Sequence, residues 1–146
     1  MTRTTALYAM SLAFVLLVAD RLLKILVVTS GSIWLADGVV LGPVYNSNLP
    51  GTMGTVEVPW LPVMMPAAYL IAIVIIAIIA QRDRAGAIGL TILAIGLISN
   101  AADMLIYPGV VDPIGIRVAD PVFVGTNIAD AYIGYGIIRT VYDIRH

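Results

Sequence analysis

The chain contains no cysteine, a single histidine at its last position, and few charges. Without cysteine there can be no disulfide, no thiolate metal site and no cysteine nucleophile. With His146 as its one histidine, the chain cannot assemble an internal histidine triad or a histidine-based zinc site. Charged residues make up 12% of the 146 residues and net charge is -1, so nothing here attracts nucleic acid. What fills the space is apolar: 60% hydrophobic residues and a mean hydropathy of +0.99. A soluble domain has about 45–50% apolar and about 25% charged residues. Both departures point to lipid as the solvent.

Four apolar stretches, at about 5–29, 60–80, 85–107 and 127–142, approach the ~20 residues that a membrane-crossing helix needs. The expectation is an all-α membrane protein, one domain over 1–146, with four transmembrane helices. Arg3 and an apolar run resemble a signal peptide, but the stretch continues into Asp20-Arg21-Leu22-Leu23-Lys24 without a small-x-small site and reads as a retained first span. Arg3, Arg82, Arg84, Arg139 and Arg145 cluster at the two ends and in the second connection, against Arg117 alone in the other two connections. The positive-inside rule then puts both termini in the cytoplasm and the loops 30–59 and 108–126 outside. Within 30–59, short β-prone runs at 32–35, 39–41 and 55–58 alternate with Gly, Pro and Asn. They predict a small extracytoplasmic β segment between the first and second helices.

A charge inside a span costs a few kcal/mol, so each asks for a partner or a role. Asp20 and Lys24 are four apart and share a helix face, as do Asn100 and Asp103, three apart. Asn127 and Asp130 repeat the Asn-x-x-Asp spacing, and Asp112 follows the third span. All of them fall toward the outer face. Each has a structural explanation: an ion pair for Asp20 and Lys24, a helix cap for Asn127, a loop hydrogen bond for Asp103. Asp112 alone could be an ordinary loop acid, and the helix dipole alone favours Asp130 at an N-terminus. Together they permit chemistry. Two close carboxylates cannot both ionise comfortably, so one retains a proton. The charged one can activate water while the protonated one polarises a carbonyl. Such a pair hydrolyses amides without metal or cofactor.

These blocks resemble the lipoprotein signal peptidases, or signal peptidase II. Asp20-Arg21-Leu22-Leu23-Lys24 is similar to that family's Asp-x-x-x-Lys element. Ser99-Asn100-Ala101-Ala102-Asp103 followed by Val110-Val111-Asp112 is similar to its Gly-Asn-x-x-Asp and Val-Val-Asp block, and Asn127-Ile128-Ala129-Asp130 to its Asn-x-Ala-Asp block. The resemblance implies a four-span aspartic endopeptidase of the bacterial inner membrane, with its site at the extracytoplasmic face. Such an enzyme cuts a prolipoprotein before its diacylglyceryl-cysteine. By the same resemblance Asp112 and Asp130 form the catalytic dyad. Asn100, Asp103, Asn127 and Ala129 support it, Asp20 and Lys24 shape the site, and Asn46 is the nearest candidate for the outer-loop asparagine. The implied partners are a lipidated precursor and membrane lipids, the implied state a monomer. The chain departs from the pattern at 46–51, where the Asn-x-Gly-Ala-Ala-Phe element becomes Asn46-Ser47-Asn48-Leu49-Pro50-Gly51, at Met104 in place of an arginine, and at Pro113 in place of a phenylalanine. A different membrane precursor, or lipopeptide binding without cleavage, fits these departures too.

Overall fold

The computed structural model describes residues 3–46, 61–82, 86–119 and 122–145. The order is α1 (Arg3–Ser30), β1 (Ile33–Ala36), β2 (Val39–Asn46), α2 (Leu61–Arg82), α3 (Ala87–Ile106), β3 (Val110–Ala119), β4 (Val122–Thr126) and α4 (Ile128–Arg145). The four expected helices are present. Among the described residues, α3 is long and apolar enough to cross a membrane, and α2 carries a shorter apolar run, Met64–Ile79.

The expectation for the β structure needs correction. One antiparallel sheet forms in the order β1-β2-β3-β4, and two of its strands come from the 108–126 segment, which was expected to be a loop. The alternation Ile114-x-Ile116-x-Val118 is the period-2 signal of a strand, and it pairs with β2 on one side and β4 on the other. The strand expected at 55–58 lies outside the described residues. Asp37 and Gly38 turn β1 into β2, with Gly38 at φ +79°, a conformation that glycine adopts without steric penalty. Between β2 and β3 the register slips between Leu41 and Val44. Pro43 and Pro113 sit in this irregularity, where the missing N–H of proline breaks no regular ladder. Beyond it, Val44 pairs with Asp112 and Asn46 with Val110.

Helices α3 and α4 make the closest approach. A Cβ on Gly96 would stand 2.6 Å from the Ala129 carbonyl oxygen, and one on Gly136 the same distance from the Leu93 nitrogen. Small residues let helix backbones meet in this way. Asn100 lies one turn beyond Gly96 on the same face, so the contact brings it to the start of α4.

The distribution of polarity is inverted. Phe14 (67% exposed), Ile71 (61%) and Ile138 (71%) face outward, whereas Asp20, Lys24, Asp103 and Asp112 are 1% exposed or less. In water the reverse holds, since acids and lysines are almost never fully buried unless paired.

Candidate active site

The buried charges are paired. Lys24 Nζ lies 3.0 Å from Asp20 Oδ2 and 2.7 Å from Asp103 Oδ2, and donates to Asn100 Oδ1 at 3.1 Å. The Arg21 guanidinium reaches Asp103 Oδ1 and the Ser99 carbonyl through one nitrogen. Two acids and two bases thus form a neutral cluster between α1 and α3. The helical i,i+4 spacing predicts the Asp20–Lys24 pair, and helix packing adds Asp103 to it. Buried pairs persist only when further hydrogen bonds satisfy the remaining lone pairs, and here they do for both carboxylates, although the Arg21 Nε has no partner among the described residues. Asp20 accepts from the Ala129 N–H at 3.1 Å and from the Ser99 hydroxyl, and Asp103 accepts from the Val111 N–H at 3.1 Å. Through these two amides the cluster holds the residue before Asp112 and the residue before Asp130.

Asp112 and Asp130 are each held by asparagines. Asn127 Nδ2 donates to Asp112 Oδ1 at 2.6 Å, and Asn46 Nδ2 to Asp112 Oδ2 at 3.4 Å. Asn100 Nδ2 donates to Asp130 Oδ1 at 3.0 Å. Asn127 also caps α4: its Oδ1 accepts from the Asp130 N–H at 2.9 Å, and Asp130 Oδ2 accepts from the Asn127 N–H at 3.3 Å. This reciprocal pattern is a capping box. Asn127 therefore caps α4 while its amide nitrogen contacts Asp112.

The environments of the two acids differ. Asp112 is 1% exposed and its carboxyl is pushed up to about 6, first by burial, then by the charge of Asp130, against the lowering effect of its asparagine partners and Lys24. Asp130 is exposed at the start of α4. Both line one cleft of about 260 Å³, with Asn46, Asn100, Met65, Tyr69 and Met104. Among the described residues no group of three or more His, Asp or Glu side chains is placed to hold a metal ion.

All nine residues singled out from the sequence fall in this network: Asp20, Lys24, Asn46, Asn100, Asp103, Asp112, Asn127, Ala129 and Asp130. Ala129 contributes its backbone N–H, and its side chain is fully buried. Of the 46–51 element only Asn46 is described. Sequence reasoning missed Arg21, Ser99, Tyr69 and Gly125. Arg21 lies within the Asp20–Lys24 element, but only the fold shows that it turns to α3. A Cβ on Gly125 would run into the Asp112 side chain, so β4 needs a glycine there for Asp112 to lie flat across it.

The fold is that of bacterial membrane enzymes. One solved structure, a bacterial membrane enzyme determined in meso at 2.3 Å resolution, superposes with a TM-score of 0.72 at 17% identity, covering 94% of this chain and 87% of that one. A second bacterial membrane enzyme, determined in meso at 1.9 Å, gives a TM-score of 0.69 at 17% identity, covering 94% and 92%. Comparison with curated proteins gives no match. The signal peptidase (SPase) II family matches residues 12–145, and the chain belongs to that family.

Proposed function

We propose that the chain is a membrane aspartic endopeptidase that removes the signal peptide from a diacylglyceryl-cysteine precursor. The observation that carries this reading is one asparagine, Asn127, bonded to both Asp112 and Asp130, the two acids that line one cleft. In this reading Asp130, exposed and at a helix N-terminus, is the general base. Asp112, whose carboxyl holds its proton to about pH 6, is the acid. Asp130 takes a proton from water as the water oxygen bonds to the scissile carbonyl carbon. The carbonyl π pair moves to oxygen, which receives the Asp112 proton. Collapse of the resulting diol re-forms the carbonyl as one hydroxyl proton returns to Asp112, breaks the C–N bond with its electron pair going to nitrogen, and passes the proton on Asp130 to the leaving amine.

The inverted polarity supports membrane crossings by the four helices, and the arginine distribution supports cytoplasmic termini with the sheet and dyad on the outer side; in this reading the chain works as a monomer. A second reading, the same dyad acting on another membrane precursor, is favoured by Met104, which lines the cleft where the resembled pattern has an arginine. Incubating the purified chain with one precursor in its diacylglyceryl and unlipidated forms separates the two readings. Cleavage of the lipidated form alone, lost in Asp112→Asn, is expected. Equal cleavage of both forms would overturn the substrate assignment.

A further inference from the structure

The donors lining the cleft are unequally engaged. Asn46 Nδ2 is directed at Asp112 and Asn100 Nδ2 at Asp130. Met65 and Met104 offer no proton. Tyr69, one turn along α2 from Met65, lines the same cleft, and its phenol lies within electrostatic reach of both Asp130 and Asp112. Among the described residues no hydrogen bond engages its hydroxyl, and it donates to neither acid. A phenol beside two carboxylates that binds neither is a donor left for a visitor. A phenol carries an O–H donor.

Resting on the dyad reading above, we infer that Tyr69 is a third catalytic residue, whose hydroxyl donates to the substrate carbonyl oxygen as negative charge develops on it. No bond to Tyr69 forms or breaks. Water adds to the carbonyl carbon, the oxygen gains charge and then the dyad proton, and the phenol holds that oxygen throughout. Such a donor contributes most in a low-dielectric cleft, and it acts on the transition state more than on the ground state.

The test uses the full chain in lipid nanodiscs with a diacylglyceryl-cysteine precursor, and a phosphinic lipopeptide whose tetrahedral oxygens imitate the intermediate. Tyr69→Phe keeps the ring and removes the donor. Its kcat should fall by about 10²-fold, the usual effect of losing one oxyanion donor, with KM little changed. Phosphinate affinity should drop in step, while affinity for a planar, uncleavable amide analogue stays the same. The pH limits of the reaction should not move, as they would if Tyr69 only positioned the acids. An unchanged kcat, or equal losses for phosphinate and amide analogues, would overturn the assignment. Full turnover in Asp112→Asn beside a loss in Tyr69→Phe would overturn the dyad and leave the phenol's role standing.

Discussion

Asn127 donates to Asp112 at 2.6 Å through its amide nitrogen while its amide oxygen caps the helix that begins with Asp130. One side chain therefore ties the end of the sheet to the start of α4 and fixes the relative placement of the two acids. Helix caps contribute ~1 kcal/mol, and the bond to a buried carboxyl adds to that.

The two contributions of Asn127 can be separated by substitution. Asn127→Ala should lose both, lowering thermal stability by ~1–3 kcal/mol and reducing kcat. Asn127→Asp keeps a good cap but places a carboxylate against Asp112. It should retain most of the stability and still lose most of the activity. Equal kcat in Asn127→Asp and the unaltered chain would contradict this placement.

Asp112 should weaken the fold where it is ionised. Its carboxyl is raised from 3.8 to about 6, so between these values the unfolded chain has released a proton that the folded chain retains. Stability attached to this group is therefore complete below about pH 4, falls as pH rises to about 6, and stays lost above. Asp112→Asn should melt higher than the unaltered chain at pH 7, by up to about 3 kcal/mol, and at the same temperature near pH 3, while having no activity. The same proton should limit catalysis, with kcat/KM falling as pH rises above about 6. A variant less stable at pH 7, or a flat profile from pH 5 to 8, would refute the assignment.

Lys24 is 1% exposed and contacts Asp20, Asp103 and Asn100. Removing one member of a buried ion cluster leaves uncompensated charge, at a cost of ~3–5 kcal/mol. Lys24→Met should lower the melting temperature more than any single exposed-residue change. It should also impair turnover, since Asn100 loses the contact that aims its nitrogen at Asp130. Melting unchanged by Lys24→Met would show that the cluster does not hold the site.

Much of this site is legible in the chain because helical spacing is a local property. Asp20 and Lys24, Asn100 and Asp103, and Asn127 and Asp130 each share a face by spacing alone, and the fold needed only to turn those faces inward. Strands β3 and β4 were hidden because Gly109, Pro113 and Gly115 are turn formers, and β3, on which β4 pairs, itself pairs with β2, some seventy residues away in sequence. Arg21 follows Asp20 directly and so points to a different side of α1. Its path to Asp103 depends on how closely α1 meets α3. Tyr69 lies in a helix apolar on nearly every side, where no periodicity marks the face that turns to the acids.

The claim that Asp112 and Asp130 act as one unit is tested most directly by the turnover of three variants on a diacylglyceryl-cysteine precursor: Asp112→Asn, Asp130→Asn and the double variant. Residues that share one catalytic step are strongly non-additive. Each single substitution should reduce kcat by about as much as the double, leaving all three at the same residual rate. Two partial losses that multiply in the double variant, or full turnover in either single one, would contradict the account.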